Sequence, residues 1–365
     1  MSRDVHQGCY ENYLKLEPKE LGELLMRKLI HLLVFIFLIS IFSIAQQTTS
    51  DFLKLTGPYL GQKPPGMTPE LFAPGIVSSE LNTRDVAITP VGKEIYFCVN
   101  LADFTFATIL VTREVNGRWT RPEVMEQMEN PGYWNIEPCI SADGKKFFFM
   151  SNRPDKTKNE TKGDPDIWVM DRIGDKWGDP YNLGMPVNTE SAETYPSVTR
   201  EGTLYFTRMD DKAEVEYIYR SRLLNGKYQE PEKLPDQVNS GRTQFNAYIA
   251  PDESYIIVPV YGKKDSLGAT DYYIVFRNQD DSWSEPVNMG QGVNTADGSE
   301  YSSSISPDGK YLFFMSSRIL PKEDWPEKLT VAILHSLHAN HGNGNSSIYW
   351  VSTQIIDELR PKNLK

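Results

Sequence analysis

The stretch SADGKKFFF, Ser141–Phe149, decides the fold. An Asp-Gly pair among polar residues is a tight turn: the carboxylate accepts bonds from nearby amides, and glycine tolerates the left-handed backbone the turn needs. The aromatic run after it has the composition of a buried strand. Four more stretches share this order: TPVGKEIYF (Thr89–Phe97), TREGTLYF (Thr199–Phe206), APDESYIIV (Ala250–Val258) and SPDGKYLFF (Ser306–Phe314). Their turn residues, Gly92, Gly144, Gly202, Glu253 and Gly309, are separated by 52, 58, 51 and 56 residues. Steps of this length exceed one helical repeat and fit a unit of four strands with loops.

Each copy carries a second landmark further on. Asn116-Gly117, Gly174-Asp175, Asn225-Gly226 and Asp280-Asp281 lie between apolar runs, as hairpin residues do. An aromatic follows, and three residues later a proline: WTRP (Trp119–Pro122), WGDP (Trp177–Pro180), YQEP (Tyr228–Pro231) and WSEP (Trp283–Pro286). Proline lacks a backbone donor, so this segment is expected at a sheet edge. Three copies then exit through Val187-Asn188-Thr189, Val238-Asn239-Ser240 and Val293-Asn294-Thr295. Third strands are expected at Asp166–Asp171, Tyr217–Ser221, Tyr272–Arg277 and Ile348–Ser352. One four-stranded sheet cannot bury both faces alone, whereas sheets stacked around an axis bury each against its neighbours. The expectation is an all-β propeller of four-stranded antiparallel blades.

The motif S-x-D-G-K-x-x-x-F, then Ser151-Asn152-Arg153 or Ser316-Ser317-Arg318, then Asp166-Ile167-Trp168 or Ser347–Trp350, resembles the bacterial WD40-like propeller repeat of the TolB-type proteins. The resemblance spans residues 69–361, with the fourth copy departing at Glu253-Ser254. It implies a periplasmic or surface role in contact with envelope proteins, peptidoglycan-associated lipoproteins among them. That family is usually six-bladed. The five copies here favour five blades, with six as the alternative. The segment TPELFAPGIVS, Thr68–Ser78, resembles an outer strand, since Pro69 precedes Ile76 as Pro180 precedes Val187. It is expected to complete the last blade and close the ring.

The chain has 365 residues, 38 Lys+Arg against 49 Asp+Glu, and three Cys. A net charge of −11 argues against a nucleic-acid partner, and so few Cys exclude a disulfide-stapled scaffold. Leu29–Ala45, LIHLLVFIFLISIFSIA, follows Met26-Arg27-Lys28 and ends in small residues, which describes a secretory signal cleaved after Ala45. The expected organisation is residues 1–45 as extension plus signal peptide, 46–68 as linker, 69–361 as propeller and 362–365 as tail. Met26 is taken as the true start, because the polar residues before it do not suit a signal. An uncleaved N-terminal anchor is the alternative, and the segment would then supply the chain's one membrane contact. Processing removes Cys9 and leaves Cys98 and Cys139, which are buried thiols by default or a bridge if close.

Polar residues recur where each inner strand begins. One column is Asp85, Glu137, Tyr195, Asn246 and Ser302, and two residues earlier come Thr83, Asn135, Glu193, Gln244 and Glu300. A period of two would put both columns on one strand face near the channel mouth. Asp85, Glu137, Glu193, Asn246 and Glu300 are therefore the candidate binding residues. Paired inner-strand carboxylates also serve five-bladed glycosidases, but carboxylates that recur with a repeat read first as structural. No sialidase Asp-box, nucleophile elbow, phosphate loop, dinucleotide fingerprint or zinc-protease motif is present, so no catalytic residue or cofactor is assigned. Glu327–His338 has helical composition, and His335, His338 and His341 read as surface histidines, not a metal site. The expected function is an exported, non-catalytic binding or scaffolding propeller that engages an envelope protein or peptide. A carbohydrate-active or glycan-binding protein is the alternative.

Overall fold

A computed structural model describes residues 55–155 and 164–362. The leader with its proposed Met26 start, Cys9, the first part of the linker, residues 156–163 and the end of the tail lie outside the described residues.

Five antiparallel sheets follow one another along the chain and form a five-bladed propeller. Blade 1 runs Asn82–Ile88, Glu94–Leu101 and Phe106–Val115, and blade 2 runs Asn135–Ile140, Lys146–Ser151 and Asp166–Ile173. Blade 3 comprises Glu193–Val198, Leu204–Asp210 and Val215–Ser221. In blade 4 the innermost strand is split into Thr243–Gln244 and Tyr248–Ile249, followed by Tyr255–Tyr261 and Thr270–Phe276. Blade 5 has Glu300–Ile305, Tyr311–Ser316 and Ser347–Ser352. The fourth copy, which lacks the turn glycine, makes the same hairpin as the others. Glu253 takes φ 59°, and its N–H bonds Ala250 O at 2.8 Å, as Gly309 N–H bonds Ser306 O at 2.8 Å.

The fourth strand of each blade is shorter than the sequence suggests. Proline removes one ladder donor, so pairing survives only on either side of it: Arg118–Trp119 and Glu123–Val124 in blade 1, Lys176–Trp177 and Tyr181–Asn182 in blade 2. Blade 5 has no such segment of its own. Glu70–Leu71 pairs with its third strand in the register Glu70↔Trp350 and Leu71↔Tyr349, which closes the ring as expected.

The core lies between the blades. Tyr96, Phe147, Phe149 and Trp177 fill the gap between blades 1 and 2, and Phe148, Val187 and Phe206 that between blades 2 and 3. Tyr205, Val258 and Trp283 join blades 3 and 4, and Tyr272, Phe314 and Val351 join blades 4 and 5. Two hairpin aromatics lock their blades to what precedes them: Trp177 Nε1 donates to Tyr96 Oη at 2.8 Å, and Trp119 Nε1 to Gly57 O at 2.8 Å. Tyr59 packs edge-to-face against Tyr311 and at a tilt against Trp350 of blade 5, so the segment around Pro58–Gly61 seals the seam between the first and last blades.

The Val-Asn exits are also structural. Asn188 accepts from Ile167 N–H at 3.0 Å and donates to Ile167 O at 2.8 Å, clamping the third strand by both backbone groups. Asn239 does the same to Ile218, and Asn294 to Tyr272. In the closing blade Ser78 holds Ile348 in this way, with 3.0 Å for both contacts. Cys98 and Cys139 are free thiols. The insertion of blade 5 carries a helix, Val331–His338, whose first turn is capped by Thr330, and His341 lies beyond it. Among the described residues no group of three or more His, Cys, Asp or Glu is placed to hold a metal ion.

Candidate binding site

Asp85, Glu137, Tyr195, Asn246 and Ser302 share one backbone state, with φ of 54°, 63°, 50°, 51° and 63°. This is the left-handed region, which costs a non-glycine residue about 1 kcal/mol. In blades 1, 2, 3 and 5 the register between inner and second strands shifts at this position, as a β-bulge does, and in blade 4 the strand breaks there. The extra residue puts the side-chain alternation out of step.

The two polar columns part company in their contacts. Glu193 is fully buried; it accepts from Thr189 N–H at 2.9 Å and Oγ1 at 2.6 Å and pairs with Arg208 Nε at 2.8 Å. Glu300 accepts from Thr295 Oγ1 and Ser316 Oγ, both at 2.7 Å. Burial raises both carboxyls above their ordinary range. Both pin the entry loop of their own blade to the end of its second strand.

Asp85, Glu137 and Asn246, by contrast, are brought together by a residue the sequence reading passed over. Arg84 is buried; its Nε stands 2.7 Å from Asp85 Oδ2, and its Nη2 stands 2.9 Å from Glu137 Oε1 and 3.1 Å from Ser302 Oγ. Asn246 Nδ2 donates to the same Ser302 hydroxyl at 3.1 Å, and Tyr195 N–H donates to Glu137 Oε2 at 2.8 Å. Every blade contributes at least one group, so the network spans the propeller axis. The Arg84 guanidinium also lies over the Tyr301 ring, 5.0 Å from its centroid. Burial pushes the Glu137 carboxyl up to about 7, against the pull of Arg84, with the Asp85 charge adding to the rise. Arg84 itself is held charged by Asp85 and Glu137 despite its burial. A signal was present in the repeat: the position of Arg84 is occupied by Ile136, Thr194, Phe245 and Tyr301 in the other blades.

On the hairpin side of this network the axis opens into a well of about 600 Å³. Its lining includes one β-branched position from each blade, Ile88, Ile140, Val198, Ile249 and Ile305, of which Val198 and Ile249 belong to the cores between blades. Asp85, Tyr195 and Ser303 lie deepest, since their strands run from the network outwards to the turns, and Tyr195 Oη donates to Ser303 O at 2.8 Å. The rim bears Arg200, Asp252, Asp308 and Arg360. Each inner strand is the edge of its sheet, so the well is also bordered by backbone groups that no neighbouring strand pairs. Of the five candidates only Asp85 lines this well. Glu137 and Asn246 lie in the network beneath it, and no hydrogen bond joins Glu193 or Glu300 to that network.

No family model and no curated protein sequence matches the chain. Solved structures similar in part include TolB from Acinetobacter baumannii, at 13% identity and a TM-score of 0.40, covering 74% of this chain and 57% of that one. The chain thus spans little more than half of that protein. A periplasmic gluconolactonase from Pseudomonas aeruginosa has 10% identity and a TM-score of 0.37, with 64% of each chain covered. A putative 6-phosphogluconolactonase from Bacteroides uniformis has 14% identity and a TM-score of 0.35, covering 63% of this chain and 62% of that one. Such values carry no argument about activity, and the propeller assignment rests on the strand pairing described above.

Proposed function

We propose that this protein is an exported, non-catalytic propeller that binds an extended segment of an envelope protein or peptide in the axial well. The observation that carries this reading is the well itself, whose volume lies in the range of ligand sites. Its unpaired strand edges suit a peptide, which offers backbone donors and acceptors. The buried carboxylates support a binding role over hydrolysis. A glycosidase needs a free acid and a second free carboxylate facing one substrate. Here Glu193 and Glu300 are committed to their own loops, and both oxygens of Glu137 are taken by Arg84 and Tyr195. Export follows from the N-terminal leader in the sequence.

Selection of peptides from a random display library on the full mature chain tests the proposal. Binders should lose about tenfold or more in affinity on the variant Ser304→Trp, which places an indole in the well wall. Binders that ignore this substitution, or no binders at all, would overturn the assignment of the well.

A further inference from the structure

The mouth of the well repeats from blade to blade, with one exception. The residue two before each hairpin turn residue is Pro90, Ala142, Arg200, Pro251 or Pro307, and all five line the well. Four of them are short and uncharged; Arg200 alone brings a guanidinium. A second lining arginine, Arg360, lies outside the repeat, just after the short helix Gln354–Leu359. Both arginines stand beside the hairpin of blade 4. Arg200 N–H donates to Pro251 O of that hairpin at 2.8 Å. The Arg360 guanidinium lies 4.9 Å from the centroid of the Phe276 ring, and Phe276 pairs with Tyr255, where the hairpin ends. Asp252, in the turn, is within electrostatic reach of Arg200, and the Tyr255 hydroxyl is within reach of both Asp252 and Arg360. Arg200 thus approaches the hairpin from blade 3. Arg360 approaches it from the seam of blades 4 and 5, where Ile356 is buried.

Their donors are unused. Arg200 is exposed and Arg360 half-buried, and among the described residues neither guanidinium makes an ion pair or a hydrogen bond. A guanidinium stacked on a ring keeps its in-plane N–H groups for other partners. The acids of the rim, by contrast, are committed to their own turns. Asp252 Oδ1 accepts from Ser254 N–H at 3.1 Å and Oγ at 2.7 Å. Asp308 Oδ1 accepts from Ser306 Oγ at 2.6 Å, and Lys310 Nζ stands 3.5 Å from its Oδ2. The asymmetric part of a five-fold rim is therefore a pair of accessible cations with free donors.

We infer that the blade 4 side of the mouth is a receptor for a carboxylate of the bound peptide, which Arg200 and Arg360 hold by charge-assisted hydrogen bonds. An ionised carboxylate only accepts, and its two oxygens match the planar fork of a guanidinium. A peptide carries this group at its C-terminus or on an Asp or Glu side chain. Either can sit at the mouth while the neighbouring residues follow the unpaired strand edges into the well. This inference rests on the well being the peptide site and names the group recognised at its mouth.

Calorimetric titration of the full mature protein with two pairs of probes tests it. Acetyl-Ala-Ala-Ala presents a C-terminal carboxylate and is paired with its C-terminal amide. Acetyl-Ala-Glu-Ala-amide presents a side-chain carboxylate and is paired with the peptide carrying Gln in place of Glu. At least one acid should bind, and its neutral counterpart should bind about fivefold more weakly, as suits a contact open to solvent; which acid binds identifies the source. Arg200→Gln and Arg360→Gln should each reduce this preference, and added salt should weaken it. Neither substitution touches the buried ion network, so the melting temperature serves as the control for folding. Equal binding of acid and neutral probes, both lost on Ser304→Trp, would overturn the carboxylate assignment and leave the well as a peptide site. Binding of neither acid would also overturn the assignment. An acid preference that needs Arg200 but survives Ser304→Trp would instead defeat the underlying reading, because the peptide would then lie outside the well.

Discussion

Arg84 Nη2 and Glu137 Oε1 meet at 2.9 Å across the boundary between blades 1 and 2, although 53 positions separate them in sequence. Around this contact every other blade supplies a group, and the propeller axis is closed by a buried ionic hub. Such a hub has little net stabilising effect when complete, and loss of one partner leaves charge without compensation.

Arg84→Met should therefore destabilise the fold by about 3–5 kcal/mol at pH 8, with Asp85 and Glu137 left facing each other. The loss should be smaller at pH 5, where Glu137 is protonated, and the double variant Arg84→Met/Glu137→Gln should recover part of it. Urea denaturation followed by tryptophan fluorescence reads both; an equal loss at the two pH values would contradict the role assigned to Glu137.

Stability should fall as pH rises from about 5 to 8. Burial pushes the carboxyls of Glu137 and Glu216 up to about 7. The folded state then holds protons that the unfolded state, with ordinary glutamate values near 4.3, has already released. Glu137 faces Arg84, Asp85, the Tyr195 amide and Glu216, while at Glu216 burial alone drives the rise. Glu216→Gln should flatten the pH dependence and raise stability at pH 8 by an amount on the order of 1–3 kcal/mol, with little change at pH 5. Melting temperatures of the two proteins across this pH range supply the check.

The asparagine clamps predict a graded series. Asn188→Ala, Asn239→Ala and Asn294→Ala each free a buried N–H on a third strand, while the matching carbonyl keeps the backbone N–H of Leu183, Leu234 or Met289, so each should cost about 1–3 kcal/mol. Asn294→Ser should cost less, because Ser78 performs the same double contact on Ile348. Chemical denaturation of the four variants ranks them; a serine variant as damaged as the alanine one would show that reach, not chemistry, sets the clamp.

Ring closure makes a further demand. Leu71↔Tyr349 pairing and the packing of Phe72 on Phe313 and Trp350 seal blade 5, so a chain starting at Glu80 should lose cooperative unfolding and expose apolar surface. Calorimetry and binding of a hydrophobic dye to this truncated chain should show a broadened transition and a raised signal. A sharp transition at the original temperature would mean that the N-terminal strand is dispensable.

Much of this architecture is legible in the sequence because it repeats. The turn residues from Gly92 to Gly309, the hairpin aromatics, the third strands and the closing segment Thr68–Ser78 each follow from local rules applied along the repeat, and the physics of a two-faced sheet then requires a ring. The bulges were not legible, because the left-handed positions carry Asp, Glu, Tyr, Asn and Ser instead of glycine. The partner of Arg84, the commitment of Glu193 and Glu300 to their own loops, and the end of the axis that stays open were decided only by the tertiary structure. A repeat specifies what each blade looks like. Which side chains meet depends on five inner strands converging on one axis, where buried residues more than 50 positions apart satisfy one another's charges.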